Sequence, residues 1–307
     1  MEIVSGIITR GVGGLYEVDT ENEIIECKAK GVFRHDMIAP TVGDRVTVEV
    51  DKDSAVISKI EERKNLLIRP PLANLDIIFC VIPSKDPAPD LFTLDKLIAI
   101  AEKNSIEPVI IVTKSDLDKA SSDRIVSIYK KSGFSVFGVS TYDEESVDAL
   151  HSFIKEHARG KISAFAGASG AGKSTLMNSL FPSLKIVTGT LSKKTARGRH
   201  TTRAVDLYPF SRISPDMNDG YLADTPGFTM LDFEHFDFMT LDELPYSFRE
   251  FDDYIGLCRY TKCTHLKEEG CAIIEAIKNG EISKERHESY VSLYATLKAK
   301  PYKSNKK

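Results

Sequence analysis

Apolar positions follow three different rhythms along the chain. Over the first sixty or so residues, short runs at 3–8, 15–18 and 24–28 are broken by turns, the first of them glycine-rich, and Val46, Val48 and Val50 then alternate with polar neighbours before a last run at 56–60. A period of two at this turn density predicts about five short strands, each with one buried face. From residue 76 the runs become continuous. Stretches 76–82, 108–112, 135–139 and 162–166 predict buried strands, while 91–104, 123–131 and 144–157 carry helical spacing between them. Strands alternating with helices imply a parallel sheet with helices on both faces. Residues 65–71, which contain two adjacent prolines, predict a linker. Beyond 257 the pattern predicts helices at 271–279 and 283–298, with Gly280 as a C-cap between them. The expected architecture is therefore multi-domain. It has an antiparallel β-barrel over 1–66, with an OB-fold the leading candidate, then an α/β domain over 67–235 and a mostly helical domain over 236–307.

The chemistry centres on the end of the run at 162–166. There the chain reads Gly167-Ala168-Ser169-Gly170-Ala171-Gly172-Lys173-Ser174-Thr175, which is G-x-x-x-x-G-K-[ST] with a predicted strand before it and a helix after it. Glycines let the backbone curl so that successive N–H groups and a helix N-terminus face a phosphate chain. Lys173 would reach the β- and γ-phosphates, and the Ser174 hydroxyl would sit on Mg²⁺. A nucleoside triphosphate is the expected ligand.

Thr113-Lys114-Ser115-Asp116 follows the run at 108–112, and Val139-Ser140-Thr141 stands in the same position one strand later. Strand carboxyl ends are where open α/β sheets bind ligands. The Asp116 carboxylate there could accept from guanine N1–H and N2–H₂, a pair that adenine lacks, and so select GTP. The Lys114 stem could lie over the base, and backbone N–H groups near Ser140 could meet its O6. By itself such a motif could equally be a surface turn with Asp116 capping a helix.

Further on, Lys193-Lys194-Thr195-Ala196-Arg197-Gly198-Arg199-His200-Thr201-Thr202-Arg203 is strongly basic, with no acidic residue. It lies where a GTPase keeps its first switch, whose threonine ligates Mg²⁺ only while γ-phosphate is present. Thr202 is favoured over Thr201 for that role. Asp224-Thr225-Pro226-Gly227 has the form of the second switch. Asp224 would hold Mg²⁺ through water and the Gly227 N–H would contact γ-phosphate. Phe228 follows, where many GTPases place a water-orienting glutamine, so slow intrinsic hydrolysis is expected. His200 is the candidate to position water, with contact to an RNA phosphate as its alternative role. Finally, Cys258-x₄-Cys263-x-His265-x₅-Cys271 gathers four soft ligands, as expected of one closed structural Zn²⁺ site.

Composition narrows this picture. Net charge is −4, so nucleic-acid contact must come from local patches. Lys28, Lys30, Arg34, Arg45, Lys59 and Arg63 of the barrel could face RNA or simply be solvated, and with Tyr16 and Phe33 as its aromatics the barrel has too few for a base-stacking platform. A basic tail at 298–307 is expected to be disordered and suited to phosphate backbones. Five cysteines, three of them clustered late, argue against a disulfide framework, leaving Cys27 and Cys80 as core residues. No apolar run is long enough to span a membrane and no signal pattern opens the chain, so no membrane partner and a cytoplasmic location are expected.

Motif order adds one more fact. The base-recognition residues precede the phosphate loop, the reverse of ordinary small GTPases. This order, with a barrel in front and the zinc spacing behind, resembles the circularly permuted GTPases, and within them the RsgA family of small-subunit-dependent GTPases. Gly198-Arg199-His200-Thr201-Thr202 is similar to that family's G-R-H-T-T-T, although Arg203 takes the last place and Thr113 replaces a more usual asparagine. The resemblance covers nearly the whole chain. It implies a monomeric enzyme converting GTP to GDP and phosphate, stimulated by the small (30S) ribosomal subunit. It also implies late subunit maturation with docking in the GTP state, His200 as the water-positioning group, and rRNA and other assembly factors as partners. Two rival readings are an RNA-binding module with a structural nucleotide and an ATP-dependent small-molecule kinase.

Overall fold

Alternation in the first third closes on itself. In the computed structural model, which describes residues 2–20, 22–31, 33, 39–52, 54–68, 70–184, 205–224 and 239–299, five strands form a closed barrel. They are β1 (Glu2–Val12), β2 (Leu15–Thr20), β3 (Ile24–Ala29), β4 (Arg45–Asp51) and β5 (Ser54–Ile60), ordered β1-β2-β3-β5-β4. Ile8, Val18, Val46, Val48 and Ile57 fill it. The expected all-antiparallel barrel needs one correction, because β3 and β5 pair in parallel. β1 carries a bulge between Ile8 and Arg10, after which Arg10 stands opposite Glu17. A bulge of this kind bends the strand and re-aims the side chains beyond it.

The proline-containing stretch is not an irregular linker. Leu66–Ile68 (β6) and Pro71–Ala73 (β7) pair as a small antiparallel ribbon, with Pro71 the first residue of its strand, a position that tolerates proline. Asn74, at φ +57°, donates from its amide to the Gly43 carbonyl at 3.0 Å and so ties ribbon to barrel.

Six strands make the main sheet: β8 (Ile77–Pro83), β9 (Glu107–Thr113), β10 (Ser135–Val139), β11 (Ile162–Gly167), β12 (Asp206–Pro209) and β13 (Tyr221–Asp224), in the order β10-β9-β8-β11-β13-β12. β9 with β10 and β11 with β13 are parallel, whereas the edge strand β12 runs antiparallel to β13. The sheet is accompanied by α1 (Leu91–Lys103), α2 (Lys119–Lys131), α3 (Glu144–His157), α4 (Lys173–Leu180) and the single turn α5 (Phe210–Ile213). The helix expected at 123–131 starts a turn earlier because Asp118 caps it, accepting from the Ser121 N–H at 3.0 Å.

By internal contacts the chain divides into two units. The first comprises residues 1–79, 147–166 and 173–229, and the second 80–146, 167–172 and 230–307. In the second unit α6 (Ala272–Lys278) and α7 (Lys284–Ala299) share a core with α1, built from Ala99, Ile100, Leu244, Phe248, Phe251 and Tyr290 among others. Arg286 on α7 is fully buried and bonds Asp95 Oδ1 on α1 at 2.6 Å and Glu250 Oε1 at 2.6 Å. Cys27 and Cys80 are buried, as expected. Among the described residues no helix is long and apolar enough to cross a membrane. The tail beyond 299, Arg34 and the whole basic stretch 193–203 lie outside the described residues.

Candidate functional site

The phosphate-loop motif has the local geometry that its glycines imply. At Gly167, where β11 ends, a Cβ atom would stand 2.1 Å from the Val81 carbonyl oxygen, so no other residue fits. Gly172 has φ +86° and hands the chain directly to Lys173, the first residue of α4. The first N–H groups of a helix have no partner within it and form a natural seat for an anion. Burial pulls the Lys173 ammonium below the usual lysine range, and a phosphate beside it would reverse that penalty.

Two residues of the Thr113-Lys114-Ser115-Asp116 motif fasten this loop. The Thr113 hydroxyl donates to the Ala171 carbonyl at 2.6 Å. Lys114, in the left-handed region at φ +56°, donates from Nζ to the Gly170 carbonyl at 3.0 Å and to the Asp86 carbonyl. In a trans peptide N–H and C=O point in opposite directions. Holding the Ala171 carbonyl therefore turns the Gly172 N–H away from Thr113. The sequence pattern predicts a base-side role for Thr113 and Lys114, and no local signal announces this loop-side one.

Asp116 is exposed just past the end of β9. The helix-cap role it could have filled belongs to Asp118. Ser140 is buried and already committed: its N–H donates to Ser146 Oγ at 3.2 Å and its Oγ accepts from the Tyr142 N–H at 3.2 Å.

Asp224 ends β13, and the β12–β13 register sets Asp206 directly opposite. Paired antiparallel residues share a face of the sheet, so two carboxylates meet there, an arrangement unfavourable without a cation. Burial, and secondarily Asp206, raises the Asp224 carboxyl above its ordinary value. Asp206 had no motif to announce it, since its significance lies in its cross-strand register. His200, Thr201, Thr202, Gly227 and Phe228 lie outside the described residues.

Cys258, Cys263, His265 and Cys271 come together in the second unit, their ligand atoms all within 4.8 Å of one another. Cys258 Sγ lies 3.8 Å from Cys271 Sγ, and each of these sulfurs lies 3.5 Å from His265 Nδ1. A tetrahedron with Zn–S of about 2.3 Å and Zn–N of about 2.0–2.1 Å has edges of about 3.8 and 3.5 Å, so the donor set fits zinc. Glu268 braces the loop between the ligands. Its carboxylate accepts from the Thr264 N–H at 2.8 Å, the Leu266 N–H at 2.9 Å, the Lys267 N–H at 3.0 Å and the Thr264 hydroxyl.

The RsgA GTPase family model matches residues 60–234 and the RsgA N-terminal domain model matches 5–57. A protein of Caldanaerobacter subterraneus named small ribosomal subunit biogenesis GTPase RsgA is 41% identical over 302 residues, spanning 98% of each chain. One of the same name from Clostridium perfringens strain 13 is 40% identical, over 94% of this chain and 96% of its own. Among solved structures, YjeQ from Thermotoga maritima superposes with a TM-score of 0.81 at 33% identity, covering 98% of this chain and all of its own. YloQ, described as a circularly permuted GTPase, gives 0.77 at 31% identity, over 98% of this chain and 97% of its own.

Proposed function

We propose that this chain, which belongs to the RsgA family of GTPases, cleaves GTP to GDP and phosphate on the small ribosomal subunit during its biogenesis. It is a GTP hydrolase by family. The observation that best supports the finer reading is the attachment of Thr113 and Lys114 to the carbonyls of Ala171 and Gly170. Base recognition and phosphate loop are thereby braced as one piece, which a kinase reading would not require.

In this reading the backbone from Gly167 to Gly172 and the first turn of α4 cradle the phosphates, with Ala168, Ser169, Ala171 and Thr175 in the lining. Lys173 carries compensating charge to the β- and γ-oxygens, and Asp116 selects guanine. Ser174, Thr202 and Asp224 would hold Mg²⁺, which when bound neutralises the charge of the phosphate oxygens. His200 orients the attacking water in the absence of a glutamine at 228, and the Gly227 N–H contacts the γ-phosphate. The three domains are 1–66, 67–235 and 236–307. Barrel and helical domains grip rRNA, other assembly factors share the surface, and the protein works as a monomer in the cytoplasm.

Phosphate release from GTP, measured alone and with purified small or large subunits, tests the reading. Strong stimulation by the small subunit only is expected, and equal rates in all three conditions would overturn that choice of partner. Asp116→Asn should weaken GTP binding by about 10²-fold or more, because one of the two oxygens accepting from the base becomes an amide donor that faces another donor. It should also admit xanthosine triphosphate, and an unaltered base preference would remove Asp116 from the site.

Cys258, Cys263, His265 and Cys271 would hold one Zn²⁺, a closed four-ligand set that supplies folding energy and no reaction chemistry. Metal analysis should find one zinc per chain. Burial opposes the charge of Glu268, yet its donors at Thr264 and Lys267 hold it down at about 2. A depressed carboxylate contributes stability that is complete above its unfolded value and is lost as pH falls toward the folded one. Glu268→Gln should therefore cost about 1–2 kcal/mol at neutral pH, discounted for partial exposure. Melting curves should show parent and variant converging as pH drops from 5 toward 2, and a pH-independent gap would assign the loss to packing.

A further inference from the structure

A chain of charged side chains runs through the first unit from the barrel to Asp224. Arg10, re-aimed by the β1 bulge, places Nε 3.4 Å from Asp206 Oδ1 and Nη1 3.6 Å from Glu17 Oε1. Asp206 Oδ1 is itself buried and makes no hydrogen bond among the described residues, its contact with Arg10 being a longer ion pair. Across the strand pair stands Asp224. Tyr208, two residues along β12, shares this environment, where burial and then the two aspartates raise its hydroxyl above the usual tyrosine value. Two like charges on one strand pair, a buried oxygen lacking a hydrogen, and an arginine from another domain make a costly arrangement. Nothing in sheet packing requires it.

We propose that Asp206 is a positioning residue for the cation bound at Asp224, and that Arg10 of the barrel sets how strongly it acts. The proposal rests on the reading of Asp224 as a magnesium-side carboxylate. Mg²⁺ keeps most of its waters when proteins bind it. A water held between the cation and Asp224 has a hydrogen to give, and Asp206 Oδ1 is an unfilled acceptor on the same face. Groups that orient metal-bound ligands in this way typically account for 10–100-fold in metal affinity. Arg10 opposes that attraction, because its positive charge lies on the same carboxylate and offsets part of its pull. Arg10 is about half exposed, at 53%, so solvent screens it and its effect is the smaller of the two. Its competing partner Glu17 gives it a second place to rest, so the barrel determines how much of its charge reaches the cation site.

The two residues therefore act with opposite signs, which distinguishes the proposal from simple structural damage. The experiment is retention of methylanthraniloyl-GDP by the full-length protein as free Mg²⁺ is titrated, with thermal melting of each variant alongside. Asp206→Ala should raise the half-saturating Mg²⁺ about tenfold. Arg10→Gln should lower it several-fold, and the double variant should match Asp206→Ala, because Arg10 acts through Asp206. In metal-free protein Asp206→Ala should melt no lower than the parent, since a like-charge pair has been relieved. An unchanged or lowered Mg²⁺ requirement in Asp206→Ala would overturn the proposal, as would an equal Arg10→Gln effect with and without Asp206. Asp224→Ala is the control on the premise. If it leaves the Mg²⁺ dependence untouched, the reading of Asp224 fails and the proposal with it. If it shifts the dependence while Asp206→Ala does not, only the proposal fails.

Discussion

A Lys173→Ala protein is expected to fold and melt like its parent while hydrolysing GTP at least about 10²-fold more slowly, with or without small subunits. The expectation follows from the place of the side chain. Lys173 opens α4 directly after the glycine loop, and burial already disfavours its charge. A cation kept in that condition destabilises the empty protein slightly and is recovered when phosphate arrives. Alanine therefore costs the fold little and the loaded state a great deal. Arginine should not rescue it, since a planar fork does not replace a point charge on a phosphate chain. Measuring nucleotide affinity and single-turnover rate separately would divide the loss between binding and chemistry. A variant that retained its rate would exclude Lys173 from the reaction and with it the phosphate-loop reading.

The largest structural effect is expected at Arg286. Arg286→Met should destabilise the second unit by about 3–5 kcal/mol, because Asp95 and Glu250 would remain buried without their cation. Burial works against the Arg286 charge, but the two carboxylates more than offset it and hold the guanidinium protonated. The guanidinium also lies 4.6 Å from the centre of the Phe248 ring, and the Tyr129 hydroxyl donates to Asp95 Oδ1 at 2.8 Å. One substitution thus affects α1, α2 and α7 together. Its pH dependence has a definite sign. Burial holds the Asp95 carboxyl above its ordinary value even in the parent, and loss of Arg286 would raise it further. A raised carboxyl contributes stability at low pH that is lost as pH rises through its folded value. The deficit of the variant should therefore shrink on moving from pH 8 to 5. Calorimetry should show a drop on the order of 10 °C in the unit's transition at neutral pH, and an unchanged melt would mean that the cluster relaxes around the missing charge.

What the sequence disclosed follows from how local each signal is. The phosphate loop and the Cys₃His knuckle are read from short stretches whose spacing carries the signal, and the four knuckle ligand atoms do lie within 4.8 Å of one another. Strand and helix alternation fixed most elements to within a turn because their faces are buried in a regular period. Asp206 was invisible because its significance depends on facing Asp224, a fact of register that appears only once β12 turns antiparallel. The loop-side contacts of Thr113 and Lys114 could not be read in advance, because no local pattern says that their polar atoms reach carbonyls more than fifty residues away. The ribbon at Leu66–Ile68 and Pro71–Ala73 was missed because two prolines argue against a central strand but not against the first residue of an isolated pair.

The division of the chain has a consequence for how the protein is made. Residues 1–79 need partners that arrive only at 147–166 and 173–229, and residues 80–146 wait for 167–172 and for everything after 230. During synthesis at about 5–20 residues per second, a growing chain gains stability by completing units from its beginning. Here the barrel can close early on its own strand pairing. The first unit is complete only once residue 229 has emerged, and the second also draws on residues 230–307. Neither unit can therefore be finished in the order in which its residues are made, and each waits on a segment synthesised well over a hundred residues after its first.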